Sequence, residues 1–136
     1  MWIVLHWKLQ QESAAEGKRR TKMKDEKRIT GQIGEELAMH LLEEKGYAIL
    51  QRNYRCRSGE IDIVAMHRKK RILCFVEVKT RTDAAFGEPA EAVTRAKQHK
   101  IRQTAMQYLN EYQGGYLGVE FQVVEIVVRH LDGLEF

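Results

Sequence analysis

The stretch that decides the fold is residues 59–81, GEIDIVAMHRKKRILCFVEVKTR. In its first part apolar residues recur at alternate positions, which is typical of a half-buried β-strand. Four consecutive basic residues, 68–71, interrupt this pattern, and a second, mostly apolar run occupies residues 72–79. The pattern predicts two strands joined by a basic turn, and it places on one face of the first strand Ile61, Ile63 and Ala65.

Charged residues are confined to one end of the second strand. Because the side chains of a strand alternate between its faces, Glu77 and Lys79 share a face, about 6–7 Å apart along the strand. Asp62 reaches the same face if the hairpin closes around the basic turn. Two carboxylates beside apolar neighbours suit Mg²⁺, which takes only one or two carboxylates from a protein and keeps several waters. A lysine next to them can stabilise a phosphate or position an attacking water.

A simpler interpretation of Asp62, Glu77 and Lys79 is a solvated strand face with a cross-strand ion pair. The composition of the second strand argues against it, because residues 72–76 are all apolar whereas a solvated face carries polar residues along its length. From these residues alone, a metal site and an ion pair both stay open.

The order of short motifs along the chain resembles a known family. Asp62, followed after fourteen residues by Glu77-x-Lys79, resembles the signature of the PD-(D/E)XK nuclease superfamily. A wider set of motifs resembles the YraN-like bacterial proteins, which are placed near the archaeal Holliday-junction resolvases. These motifs are GE at 34–35, GY at 46–47, RNYR at 52–55, GEID at 59–62, FVEVKTR at 75–81 and FG at 86–87.

The resemblance implies a fold, an activity and partners. The fold is α/β, a restriction-endonuclease-like core with the order α-β-β-β-α-β and a mixed central sheet flanked by helices. The activity is Mg²⁺- or Mn²⁺-dependent endonuclease cleavage of phosphodiester bonds in DNA, in branched or structured DNA during repair or recombination. By analogy with resolvases it also allows a homodimer. The alternative is a non-catalytic module that keeps the nuclease fold and binds nucleic acid or protein.

The resemblance also assigns roles to residues at the end of the hairpin. Asp62 and Glu77 would bind the metal ion, and the backbone carbonyl of Val78 would be a further ligand. Glu35 would join them directly or through a water molecule. Lys79 would orient the attacking water and offset negative charge on the phosphate.

A helical pattern precedes the first strand. Apolar residues recur with helical spacing over residues 30–45, with Thr30 as the expected N-cap and Gly46 just beyond the end. At 100° per residue Glu35 falls at the border of the apolar arc, and Glu36 points away from it. Glu35 can therefore face the sheet. The alternative is a first-turn glutamate favoured by the helix dipole.

Five basic residues are candidates for contact with phosphate. The planar guanidinium group suits phosphate, and the alternative for the arginines is a solvated loop. Lys97 falls within the apolar stripe of a helix expected from about residue 90 to 112, with Pro89 in its first turn. A lysine there extends to solvent or meets an acid or a phosphate. The candidates are Arg52, Arg55, Arg57, Arg81 and Lys97.

The length of 136 residues suggests one domain, and the net charge of +4 is unevenly distributed. Residues 1–28 hold 8 Lys/Arg and 4 Asp/Glu, a net of +4, whereas residues 29–136 hold 15 of each. We expect residues 1–28 to be a basic extension, mostly disordered or loosely helical, and residues 29–136 to be the nuclease-like domain. The extension is either a solvated tail or a contact for nucleic acid. Met23 is a candidate for the natural start, which mass spectrometry of the native protein would decide.

The remaining features exclude several classes of protein. Cys56 and Cys74 have no C-x-x-C spacing, which favours reduced thiols and a cytoplasmic location over a disulfide or zinc site. No apolar run approaches the ~20 residues of a membrane span, so no membrane partner is expected. A last strand is expected over residues 117–128. There Glu120 and Gln122 stand where the family commonly has Arg and Asp.

Overall fold

The structure, a computed structural model, describes residues 16–82 and 93–128 together with Gly133. Two helices and four strands follow one another in the order α-β-β-β-α-β, as the sequence predicts. They are α1 (Glu16–Glu44), β1 (Tyr47–Cys56), β2 (Gly59–His67), β3 (Ile72–Thr82), α2 (Arg95–Glu111) and β4 (Gly118–Val128).

The four strands form one mixed sheet in the order β1-β2-β3-β4. β1, β2 and β3 are joined by tight turns and pair antiparallel, whereas β4 returns through α2 and pairs parallel to β3. The basic turn closes as predicted, with His67 opposite Ile72 and the Arg71 N–H donating to the His67 carbonyl at 2.8 Å. The α/β fold with a mixed sheet is confirmed, and it is consistent with a restriction-endonuclease-like core.

Each face of the sheet packs against one helix. Alternate residues of β3 point to opposite faces because the strand period is two. On the face covered by α1, the core contains Ala38, Leu42, Tyr47, Ile63, Ala65, Cys74, Val76 and Val124. On the face covered by α2, it contains Tyr54, Ile61, Val64, Leu73, Phe75, Ala105 and Tyr108. Burying a side chain the size of Leu42 or Phe75 contributes about 1.5–3 kcal/mol.

α1 begins at Glu16 rather than at Thr30, so the predicted N-cap is wrong. Thr30 lies inside the helix, and its hydroxyl donates to the Glu26 carbonyl one turn earlier at 2.8 Å. Residues 18–28 contain neither Gly nor Pro and are rich in strong helix formers. The helix therefore extends through a segment for which a mostly disordered and a loosely helical state were both expected. Residues 1–15 of the expected extension lie outside the described residues. The other end of α1 is as predicted, since Gly46 has a left-handed φ of 92°.

α2 begins later than the sequence pattern suggests. Thr94 is the N-cap, and its hydroxyl accepts a hydrogen bond from the Lys97 N–H at 3.2 Å, so the expected start at about residue 90 is wrong. Pro89 and the FG motif at 86–87 lie outside the described residues. In the parts of the chain that the structure describes, neither helix is long and apolar enough to cross a membrane.

Candidate functional site

The candidate site lies where β2 and β3 separate. Their antiparallel pairing ends at Ile63 opposite Val76. Two residues further along β3, the Val78 N–H donates to Oδ2 of Asp62, the residue before Ile63, at 2.7 Å instead of to a carbonyl of β2. The N–H and C=O of a strand residue point to the same edge, so the Val78 carbonyl also faces β2. The hairpin therefore brings Asp62 beside Glu77 and Val78, as predicted.

The backbone is irregular at the same position. Ile61 packs on the α2 face and Ile63 on the α1 face, so the predicted common face of Ile61, Ile63 and Ala65 is wrong. Opposite Asp62, Asn53 of β1 has a φ of 48°, a left-handed conformation that asparagine tolerates better than most residues. Both strands of the β1–β2 hairpin thus change face at Asn53 and Asp62. This local distortion turns the Asp62 carboxylate towards Val78.

Between α1 and this end of the sheet lies an open cleft of about 640 Å³. α1 approaches β3 closely because residue 34 is a glycine, where a Cβ atom would lie 1.9 Å from Oγ1 of Thr80. Glu35 follows directly and lines the cleft, whereas Glu36 is exposed, as the helical spacing predicts. The cleft is lined by Met23, Glu26, Lys27, Thr30, Gly31, Glu35, Asp62, Glu77, Val78 and Thr80.

The carboxylates at the cleft influence one another. The pKa of Asp62 is raised to about 6: burial raises it most, the hydrogen bond from the Val78 N–H lowers it, and the negative charges of Glu77, Glu35 and Glu60 raise it. Burial and the neighbouring carboxylates thus disfavour the ionised form of Asp62, and a nearby positive charge would stabilise that form. Asn53 joins the group, since its Nδ2 donates to Oε2 of Glu35 at a long 3.5 Å.

Two lysines lie near this group. Lys97 of α2 reaches over the end of β3, and its Nζ lies 3.0 Å from Oε1 of Glu77, a carboxylate that is only 14% exposed. Of the two outcomes predicted for Lys97, extension to solvent or contact with an acid, the structure contains the contact with an acid. Lys79 is half-buried two residues beyond Glu77 on β3.

The donor atoms fit a hard divalent cation only in part. Within residues 16–82 and 93–128, no three Asp, Glu, His or Cys side chains converge closely enough to hold a metal ion by themselves. Oδ2 of Asp62 and Oε1 of Glu77 already have partners, which leaves Oδ1 and Oε2 as donors. Mg²⁺ requires only one or two carboxylates and binds oxygen. Asp62, Glu77 and the Val78 carbonyl meet that requirement.

The five predicted phosphate contacts differ in their surroundings. Nε of Arg81 lies 2.7 Å from Oε1 of Glu125, and Nε of Arg55 lies 3.0 Å from Oε2 of Glu60. Arg52 on β1 and Arg57 in the β1–β2 turn are exposed. Two of the arginines therefore already face a carboxylate.

Sequence reasoning missed two features of the site. Asn53 was noted only as part of a motif, although an asparagine inside a strand is itself a signal of a positive φ. Lys27 was assigned to an extension that was mostly disordered or loosely helical, but it lines the cleft beside the carboxylates. Continuing the helical spacing of residues 30–45 towards the amino terminus places Lys27 on the same face as Gly31 and Gly34.

A second polar cluster lies towards the other end of the strands. The Tyr47 hydroxyl donates to Oε1 of Glu120 at 2.5 Å, and Nε2 of Gln122 donates to both at 2.9 Å. Burial, followed by the hydrogen bond to Glu120, raises the pKa of Tyr47 to about 12. Glu120 and Gln122 thus complete a hydrogen-bonded network between β1 and β4.

The chain was compared with known families and curated proteins. The profile of the Uncharacterised protein family UPF0102 matches residues 34–126. A UPF0102 protein of Chlorobium phaeobacteroides is 50% identical over 99 residues, covering 73% of this chain and 77% of that protein. One of Acidothermus cellulolyticus is 45% identical, covering 76% and 84%. One of Clostridium perfringens is 40% identical, covering 84% and 91%. This chain therefore belongs to the UPF0102 family, that of the YraN-like proteins.

Proposed function

We propose that this protein is a Mg²⁺- or Mn²⁺-dependent endonuclease that hydrolyses phosphodiester bonds in DNA. The observation that carries the proposal is the position of Asp62 and Glu77 on neighbouring strands, at one open cleft, with the pKa of Asp62 raised by burial and by other carboxylates. Carboxylates gathered in this way are unfavourable for a fold, and a divalent cation would offset their repulsion. Perturbed acids in a cleft are typical of functional sites.

In this proposal the side chains of the cleft have separate roles. Asp62 and Glu77 hold the cation, with the Val78 carbonyl as a further ligand and Glu35 as an additional acid. When bound, the cation lowers the pKa of water and stabilises charge on the phosphate. Lys79 orients the attacking water and offsets negative charge as the phosphate is attacked. The hydrogen bond from Asn53 fixes the side chain of Glu35 towards the cleft.

The substrate would be held by basic side chains around this end of the sheet. Arg52 and Arg57 are exposed, and among the described residues neither has an ion pair that contact with a phosphate would break. Arg55, Arg81 and Lys97 would exchange a carboxylate for a phosphate. Binding through such contacts weakens steeply as salt is added.

The test is a cleavage assay on labelled duplex, single-stranded, flap and four-way-junction DNA, with Mg²⁺, Mn²⁺ or EDTA. We expect metal-dependent cleavage of at least one substrate, and loss of that cleavage in Asp62→Ala, Glu77→Gln and Lys79→Ala. Glu36→Gln, on the exposed side of α1, and Lys69→Ala, in the β2–β3 turn, are matched controls that keep activity. Absence of cleavage with either metal, or cleavage that survives Asp62→Ala, contradicts the proposal.

One observation favours a second function, a non-catalytic module that binds nucleic acid. Nζ of Lys97 lies 3.0 Å from Oε1 of Glu77, so a lysine already offsets the charge of one of the two proposed metal ligands. A binding module predicts that wild type and Asp62→Ala bind DNA equally well in EDTA and that neither cleaves it when a metal is added. The endonuclease predicts equal binding in EDTA and cleavage by the wild type alone.

A further inference from the structure

The amino-terminal half of α1 extends beyond the sheet. Gly34, Ala38 and Leu42 are buried against the strands, whereas residues 19–25 are all exposed. At 1.5 Å per residue, the stretch from residue 19 to Gly34 is about 22 Å long. The family profile begins only at residue 34, so this overhang lies outside the region that the profile matches.

The overhang carries positive charge on one side. Residues spaced alternately by four and three lie on one face of a helix. Counting back from the buried Ala38 in such steps gives Gly34 and Gly31, and then three basic residues. These residues, here called the basic face, are Arg20, Lys24 and Lys27. The face that packs on the sheet with small residues therefore becomes basic where the sheet ends.

The basic face reaches the cleft at Lys27, which lines it together with Met23, Glu26 and Gly31 of the same helix. At 100° per residue, Arg20 lies within about 20° of Lys27 around the helix axis. Lys22 lies about 140° from Lys27 around the helix axis, on the other side of the helix. The same helix thus presents basic residues to the cleft and away from it.

We propose that the basic face binds the phosphate backbone of DNA lying in the cleft. This rests on the proposed function for the identity of the ligand, but it does not require cleavage. The carboxylates of the cleft repel a polyanion, so its approach needs cations close by. Residues 29–136 hold 15 Lys/Arg and 15 Asp/Glu, so the domain carries no excess of positive charge. The overhang supplies that charge beside the cleft.

The extent of the basic face limits how many phosphates it can meet. Seven residues separate Arg20 from Lys27, about 10 Å along the helix. That length corresponds to about three base-pair steps of 3.4 Å in duplex DNA. Two or three phosphate contacts are therefore expected. A chain that started at Met23 would keep Lys24 and Lys27.

The experiment measures binding of the full chain to labelled duplex DNA by fluorescence anisotropy, in EDTA and at several NaCl concentrations. Arg20→Gln/Lys27→Gln removes two charges from the basic face, and Lys22→Gln/Lys69→Gln removes one charge from the other side of α1 and one from the β2–β3 turn. Gln keeps a high helix propensity, and circular dichroism checks the fold of both variants. We expect the first variant to bind about 10-fold more weakly at low salt, with a plot of log affinity against log salt shallower by about 1.8. The control should stay within about 2-fold of the wild type.

The outcomes separate this inference from the proposed function. Three outcomes contradict the proposal that the basic face binds DNA. Both double variants bind equally weakly, neither binds more weakly than the wild type, or the wild type does not bind DNA. If the wild type cleaves DNA and Arg20→Gln/Lys27→Gln binds it normally, the basic face is wrong and the endonuclease stands. If the basic-face variant alone binds weakly and no substrate is cut with Mg²⁺ or Mn²⁺, the basic face stands and the endonuclease is wrong.

Discussion

Two polar clusters on one sheet differ in how their hydrogen bonds are satisfied. Towards one end, Tyr47, Glu120 and Gln122 bond to one another, and the hydroxyl both donates and accepts. Towards the other end, Asp62 and Glu77 lie at an open cleft, and the charges of neighbouring carboxylates raise the pKa of Asp62. The first cluster is closed by its own members, whereas the second keeps oxygen atoms directed to the cleft.

This difference separates polar residues that stabilise the fold from those that the fold holds at a cost. A buried polar group that finds partners contributes about 0.5–1.5 kcal/mol per hydrogen bond. A carboxylate held near other carboxylates in a partly buried cleft lowers the free energy of unfolding whenever it is ionised. Variants should therefore separate the clusters by the sign of their effects on stability and on activity.

The largest effect is expected from Asp62→Asn. The amide keeps an oxygen that accepts from the Val78 N–H, but it removes the negative charge proposed to hold the cation. We expect the rate of metal-dependent DNA cleavage to fall by about 100-fold or more, which is about 2.7 kcal/mol at 1.36 kcal/mol per decade. Glu36→Gln, on the exposed side of α1, should cleave within about 2-fold of the wild type. A variant of Asp62 that cleaves normally would place the reaction elsewhere.

Tyr47→Phe should lower the stability of the fold and leave DNA cleavage unchanged. The change removes the hydroxyl and both of its hydrogen bonds but keeps the ring. We expect the free energy of unfolding in urea to fall by about 1–2 kcal/mol and DNA cleavage to stay unchanged. Tyr116→Phe, at a ring that is 40% exposed, is the matched control and should unfold like the wild type. If folded Tyr47→Phe cleaved DNA more slowly, the Tyr47 cluster would contribute to the activity as well as to the stability of the fold.

The pH dependence of stability should reveal Asp62 in the metal-free protein. The pKa of Asp62 is raised from 3.8 to about 6 by burial and neighbouring carboxylates, so the folded state binds its proton more tightly than the unfolded state. The protonated Asp62 side chain therefore contributes fully to the free energy of unfolding below about pH 4. This contribution is lost as the pH rises through about 6. Because solvent reaches the cleft, we expect Asp62→Asn to be more stable than the wild type by only about 1 kcal/mol at pH 7. At pH 4 the two should be equal in urea denaturation, and a constant difference would contradict the shift.

The sequence predicted the hairpin correctly because two mostly apolar runs flank four consecutive basic residues. Asp62 and Glu77 meet because the turn pairs His67 with Ile72, and the register continues to Ile63 opposite Val76. Glu35 was placed correctly by counting around the helix. These predictions rest on local spacing, which the sequence carries directly.

The sequence did not predict features that depend on distant contacts or on breaks in periodicity. Ile61 and Ile63 look like one face, and the break between them depends on Asn53 of the neighbouring strand. The register shift between Ile49 and Gln51 is also absent from the sequence pattern. The sequence predicted the overhang of α1 only as disordered or loosely helical, because residues 16–28 have little apolar periodicity and form a helix as a continuation of a packed one.

The smallest effect is expected from Lys97→Gln. Lys97 is about half exposed, so loss of its ion pair with Glu77 should lower the free energy of unfolding by less than about 1 kcal/mol without metal. The same change frees Oε1 of Glu77 and removes a competing positive charge. Mg²⁺ or Mn²⁺ should therefore raise the melting temperature of Lys97→Gln more than that of the wild type at equal concentration. Lys100→Gln, on an exposed part of α2, should respond to metal as the wild type does. A smaller metal response in Lys97→Gln would mean that the Glu77–Lys97 pair stabilises the fold and that Glu77 binds no cation.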